Sequence, residues 1–450
     1  MTEISKDQNL FKTFLSYSVP CIISMFLTSF ITIVDGFFIG WKMGEKGLAA
    51  VNLTLPVLYI LLALTIMAGV GGVTLGAQSL GAKNNRQASQ SFSMSIAVNI
   101  AVNICAMLVL VLFRDPVIHL LHAKGEMYGY VKDFLGTMTF FYIFMMMNMT
   151  FSMFIRSEGK PQLSLFFGIA GNILNIILDY IFIIKLGYGM RGAALASGIS
   201  VLIPFILSVL YFISGKSVYK FTRFKFTLSG LGTMLYNGSS EFVAQISGSI
   251  TISFFNYVII GRIGVGGVAA MTIVGYVSFI QNMVLTGIAV GVHPLISYHY
   301  GANNRKIILG LLSIALKSVF VIGITVFIVS LAGADGIVSL FSKNDAGLEK
   351  IAVPGLRLYS IAFLLNGYNI IAAAYFTSLG NAKVAALISM LRSLVLIIFF
   401  ILVLPRIIGN TGIWLTAPLT EAVTFILAFM CIRRSEARMR VENTGCFVEA

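Results

Sequence analysis

Four carboxylates fall inside long apolar runs of this chain: Asp35, Asp179, Glu241 and Glu421. A charge held in hydrocarbon is expensive, and it is retained mainly where it lines a pathway, relays ions or meets a partner. Asp35 lies in Ser29-Phe30-Ile31-Thr32-Ile33-Val34-Asp35-Gly36-Phe37-Phe38-Ile39-Gly40, with no basic residue on either side until Lys42. Asp179 closes a run in which Gly168, Asn172, Asn175 and Asp179 are spaced by four, three and four. That spacing lines one face of a helix, and a polar face on an apolar span turns to protein or water rather than lipid. Asp35 comes five residues before Gly40, and Asp179 six before Lys185. At ~1.5 Å per residue both acids then sit within roughly 10 Å of the outer ends of their helices. Two carboxyls at one depth can share a proton. With the amide oxygens of neighbouring Asn residues they suit Na⁺ equally well. The plainer readings are an Asp35 that pins a helix and an Asn stripe that bonds between helices, worth ~0.6 kcal/mol per contact.

These residues need apolar helices to position them, and the composition supplies little else. The 450 residues are 58% hydrophobic and 11% charged, with a mean hydropathy of +0.93. A soluble domain carries about 25% charged residues, so an integral membrane protein is expected. The net charge of +14 is scattered in short clusters between apolar runs, which marks topology rather than a nucleic-acid surface. Cys21, Cys105, Cys431 and Cys446 are far apart and form neither a disulfide framework nor a metal site. The polar first ten residues and the long run behind them read as a first span rather than a signal peptide.

Runs of about 20 apolar residues suit a transmembrane helix. Twelve are expected, near 11–39, 48–77, 90–113, 130–154, 163–186, 192–214, 231–260, 268–297, 308–332, 353–377, 384–405 and 411–432. Twelve spans put both termini on one side. If that side is the cytoplasm, seventeen Lys and Arg fall on inner segments and twelve on outer loops, with Lys317 and Arg392 inside spans. The sign of that bias places both ends inside.

The two halves repeat at an offset of 220–221 residues. Gly40, Gly44, Gly47 and Ala50 match Gly261, Gly264, Gly267 and Ala270 with one residue dropped between the first two; Gly81-Ala82 through Arg86 matches Gly301-Ala302 through Arg305; and Asn148 matches Asn369. Six spans per half give the copies one orientation, related by an axis along the membrane normal, as in transporters that rock one half against the other. The expected organisation is an N-lobe over 1–215, an inter-lobe linker over 216–230, a C-lobe over 231–432 and a basic tail over 433–450, with linker and tail cytoplasmic. The acids break the symmetry. Asn256 stands opposite Asp35, Glu241 opposite Pro20, and Phe399 and Phe400 opposite Asp179.

Glu241, in Asn237-Gly238-Ser239-Ser240-Glu241, either caps the start of span seven or faces the C-terminal cavity. Glu421, deep in span twelve, has no assigned role. Arg392 and Lys317 snorkel or pair with an acid, and Arg392 also has the option of facing the cavity. The glycines of Ala68-Gly69-Val70-Gly71-Gly72 lack the Lys-Ser/Thr of a phosphate loop and serve close helix packing. His119 and His122 have no further metal ligands beside them. The Met residues at 145, 146, 147 and 149 read as core or lipid-facing, though a Met-rich wall also adapts to varied apolar ligands.

Taken together, Val34-Asp35-Gly36 through Gly40, Gly44 and Leu48-Ala49-Ala50, Gly81-Ala82, their second-half copies, and Asn175 with Asp179 resemble the multidrug and toxic-compound extrusion (MATE) family over nearly the whole chain, closer to its DinF-like branch. The resemblance implies an all-α integral membrane fold of twelve helices in two six-helix lobes. It implies export of cationic or amphipathic compounds against H⁺ or Na⁺, with substrate held between the lobes. It carries the N-lobe cation site onto Asp35, Asn175 and Asp179, with Ser197 supplying a span-six hydroxyl. Asn172, Ser197, Asn148, Glu241, Asn369 and Arg392 are the expected cavity-lining residues. The NorM-like branch uses acids in spans seven and ten; span ten here offers Asn366 and Asn369, and Glu241 lies about two turns early, so the coupling ion is placed in the N-lobe. The expected protein is a cell-membrane monomer and not an enzyme, without metal, cofactor or nucleic acid. A lipid-linked saccharide flippase of the same superfamily is the alternative. It needs basic residues lining the cavity, and the spans offer only Arg392 and Lys317. A membrane-embedded transferase needs a sizeable polar loop that the sequence lacks, and a channel fits the internal repeat less well than alternating access does.

Overall fold

A computed structural model describes residues 9–224, 226–342 and 345–443. The first eight residues, Lys225 in the expected linker and the last seven residues of the tail, Cys446 among them, lie outside the described residues. All regular structure within them is helical.

Among the described residues nine helices are long and apolar enough to cross a membrane, or eleven when each of two bent pairs is taken as one span. One of the nine, Leu10–Gly81, runs for 72 residues. At ~1.5 Å per residue it would be over three times the thickness of a hydrocarbon core. It is two spans joined at Gly44, whose backbone is non-helical (φ 63°, ψ −158°). Counting both gives twelve spans, as the hydropathy pattern predicts.

Spans four and ten differ from their expected form. Each is a pair of helices, Glu126–Met138 with Tyr142–Ser157 bent by 52°, and Ala346–Tyr359 with Ala362–Ser378 bent by 46°. Short helices precede them, Arg114–Leu120 and Ala334–Ser342. Spans five and eleven also share a device. Pro161–Asp179 continues as a π-helical segment, Tyr180–Lys185, and Ala382–Met390 as Leu391–Val395. Such widened turns are rare and tend to occur at functional sites.

The repeated sequence motifs adopt repeated backbone. Gly264 takes the same conformation as Gly44 (φ 85°, ψ −162°). That region excludes most side chains, which accounts for a glycine in both copies. Lys83 and Asn303 are both left-handed, and Asn84 and Asn304 each cap the following helix through the side-chain oxygen, accepting from Gln87 N at 3.0 Å and Ile307 N at 3.4 Å.

The chain forms two compact units, one of residues 19–238 and one of residues 239–443 with 9–18. Ile39, Ala50, Leu61, Leu135, Met146, Ile183 and Ala194 are at the core of the first. The core of the second includes Ala270, Val274, Val338, Leu356 and Trp414, with a further group around Ile259, Ile401 and Ile413. Within the first unit Gly71 and Gly238 meet face to face: a Cβ on Gly71 would lie 1.9 Å from Met234 O, and one on Gly238 1.8 Å from Met67 O. Backbone contact of this kind is how small residues hold helices together where lipid removes the hydrophobic drive. Gly71→Ala is therefore expected to destabilise the folded protein by about 1–3 kcal/mol, the usual range for overpacking. Gly168→Ala, with open space at its Cβ, is the control and should be neutral or slightly stabilising. Thermal unfolding of the purified variants measures both.

Residues 216–222 are fastened to the first unit. Buried Glu158 accepts hydrogen bonds from the Tyr211 hydroxyl, from Ser217 Oγ at 2.7 Å and from Val218 N at 3.0 Å. Ser89 and Ser93 accept from the backbone of Lys220 and Thr222. Tyr219 and Phe221 pack on Phe92, with ring centroids 5.7 and 5.1 Å away.

Candidate functional site

In the α-helical part of span five the buried residues are Pro161, Ser164, Phe167, Gly171, Asn175 and Asp179, a helical stripe. Ile173 and Ile177 on the other side are 56% and 50% exposed, the side that meets lipid. Gly171 allows close packing here, since its Cβ would be 3.2 Å from Ser200 O of span six. Asn175 and Asp179 consequently point into the first unit, 3% and 1% exposed. Span one behaves alike: Phe30, Ile33 and Phe37 are exposed while Asp35 Oδ1 is buried.

The structure joins Asp35 to Asp179. Their carboxyl groups lie within interaction range of each other across spans one and five. Two ionised carboxylates repel, so this contact is attractive only with a proton or a cation between the oxygens. One oxygen of each acid, Asp35 Oδ1 and Asp179 Oδ2, is buried without a partner, and so are both amide atoms of Asn175. No Lys or Arg among the described residues forms an ion pair with either acid. Such unspent acceptors, one helical turn apart on span five, are the arrangement a proton or small cation requires. The π-helical segment begins at the residue after Asp179, so the acid stands where the backbone ladder changes pitch.

The other residues expected in the first unit contribute less directly. Asn172, Ser197 and Asn148 are half-buried, and none is hydrogen-bonded to the acid pair. Ser197 supplies its carbonyl to Ser200 Oγ at 2.9 Å.

The second unit spends its polar groups on one another. Arg392 donates from Nη2 to Glu421 Oε1 at 3.0 Å and to Asn366 Oδ1 at 2.5 Å. Asn369 donates to Glu421 Oε2 at 2.6 Å, and Asn366 to Asn282 Oδ1 at 3.3 Å. Of the fates open to Arg392 in the sequence, pairing with an acid is realised. Lys317 is exposed, without an ion pair among the described residues. Sequence reasoning left Glu421 unassigned and overlooked Asn282; the cue was a lone arginine in a span, which requires an acid within reach.

Glu241 corrects one expectation. The helix that carries it starts at Leu228, more than three turns earlier, and only the first four N–H groups of a helix lack partners. Glu241 therefore caps nothing. It is half-buried and within electrostatic reach of Arg392.

Comparison with known proteins agrees with this architecture. The MatE family model matches residues 20–181 and again 242–403, once in each half of the internal repeat. The chain is 25% identical to multidrug export protein MepA of Staphylococcus saprophyticus over 440 residues, covering 97% of both. It is 26% identical to multidrug export protein MepA of Staphylococcus haemolyticus, covering 98% of this chain and 97% of the relative. The fold matches a crystal structure of MATE in the bent conformation with a TM-score of 0.90 at 22% identity, over 97% of this chain and 98% of the other. It also matches an outward-facing multidrug resistance MATE family transporter of the MOP superfamily with a TM-score of 0.89 at 22% identity, over 96% and 97%. With twelve spans in two units, a duplicated family match and an intramembrane acid pair, this multi-pass membrane protein belongs to the MatE family, the multidrug and toxic-compound extrusion transporters.

Proposed function

We propose that this protein exports cationic or amphipathic organic compounds in exchange for H⁺ or Na⁺, with the coupling ion bound by Asp35, Asp179 and Asn175. The observation that carries the reading is the close approach of the Asp35 and Asp179 carboxyls with no basic partner among the described residues. With an ion in place the two acids hold spans one and five together. Without it their repulsion drives the spans apart and biases the unit toward another conformation, and a ligand shifts an equilibrium only through such differential binding. The multidrug export proteins at 25–26% identity support drug-like organic substrates. The excess of Lys and Arg on segments assigned inward supports both termini on the cytoplasmic side of the cell membrane, and six spans in each half of the internal repeat support a monomer that works alone.

The test is uptake of a fluorescent cationic dye into liposomes holding the purified protein, with a pH gradient and a Na⁺ gradient imposed separately. Dye movement driven by one gradient identifies the ion. If neither gradient drives any dye, antiport of organic cations is wrong, and lipid-linked substrates are the next to assay.

A further inference from the structure

We propose that Arg392 is the resident cation of the second unit: its guanidinium fills a site formed by oxygens of Glu421 and Asn366, beside the unpartnered amide oxygen of Asn369, and removing its charge converts that site into one for Na⁺. The two units solve one electrostatic problem in two ways. In the first, a pair of carboxyls has no base among the described residues and needs an ion from solution. In the second, Arg392 Nη2 lies 3.0 Å from Glu421 Oε1 and 2.5 Å from Asn366 Oδ1, so one nitrogen holds the point where a carboxylate and an amide oxygen converge. Asn369, fully buried, keeps Oδ1 without a partner while its amide nitrogen bonds Glu421. Glu241 lies within electrostatic reach of the same guanidinium. Carboxylate and amide oxygens are the ligands that hard cations take. An arginine, by contrast, cannot be deprotonated in a protein and, being tethered, cannot leave.

Arg392 sits in the π-helical segment Leu391–Val395 of span eleven, as Asp179 adjoins that of span five. The widened turn thus presents an acid in one unit and a fixed base in the other. With its charge neutralised from within, the second unit has no vacancy for an exchanging ion, and the site that exchanges is confined to the first.

The test uses the full-length protein in detergent with Asp35→Asn and Asp179→Asn installed, so that the first unit's carboxyls do not contribute. Binding of ²²Na⁺ is measured against choline at constant ionic strength. With Arg392 intact no saturable binding is expected. Arg392→Met is expected to gain one saturable site per chain, and adding Glu421→Gln is expected to abolish it. Arg392→Gln repeats the test if the Met variant does not fold. Saturable binding with Arg392 present overturns the proposal. So does a folded Arg392 variant that gains none, or a gain indifferent to Glu421→Gln. Because binding is read rather than transport, the outcome is separate from that of the coupling proposal.

Discussion

Asp35→Asn is expected to cut gradient-driven dye transport about 5- to 150-fold, the range spanned by coupling free energies of 1–3 kcal/mol. Asparagine keeps the size and the hydrogen-bonding capacity of the side chain, so the contact with Asp179 survives as a neutral amide–carboxylate hydrogen bond. The variant loses the second carboxyl, and with it the need for an ion between the two oxygens. Its spans one and five stay together whatever the gradient, so the ion no longer distinguishes the two states. Asp179→Asn should reproduce the loss, and the double variant should be no worse than either single one, because residues that act as a unit are not additive. Melting temperature separates this from damage to the fold: Asp35→Asn should unfold no earlier than wild type, since it replaces a charge-dependent contact with one that holds in either state. Wild-type transport rates in an Asp35→Asn protein of unchanged stability would make Asp35 structural and end its role in coupling.

Breaking the Arg392–Glu421 pair should produce the largest loss of stability. Glu421 is 8% exposed and its carboxylate takes hydrogen bonds from two residues on two other spans. Glu421→Ala strands the guanidinium, and removing one partner of a buried ion pair costs about 3–5 kcal/mol. Replacing both partners is a different experiment. Arg392→Met with Glu421→Met removes the two charges together and restores apolar volume, so most of the lost stability should return, as buried pairs are often dispensable when exchanged whole. Thermal unfolding followed by size exclusion reads both variants. A double variant no more stable than Glu421→Ala would mean that the spans are held by something other than the neutralised charge.

Part of this protein was settled by one-dimensional pattern. Apolar runs of membrane-spanning length fixed the number of spans, because a backbone in lipid must satisfy its own hydrogen bonds and a helix does so locally. The duplication was also visible, since Gly44 and Gly264 occupy conformations that strongly favour glycine and each copy had to keep them. The stripe of Asn175 and Asp179 could be read from spacing, because a helix maps period onto a face. Depth along the spans placed Asp35 and Asp179 at one level, and the family resemblance put them in one site. Nothing in the sequence ties position 392 to 421 and 366; that grouping follows from how the spans pack. The π-helical segments beside Asp179 and around Arg392 are a shift of one residue in hydrogen-bond register, which leaves hydropathy unchanged and so leaves no trace in the sequence. Glu241 was misplaced as a possible cap because Asn237-Gly238-Ser239-Ser240 before it reads as a helix start, whereas the helix runs through those residues from Leu228. Residue type thus determined which groups could carry an ion or need a partner, and tertiary packing decided that one unit buries two carboxyls together with no base among the described residues while the other answers Glu421 with an arginine.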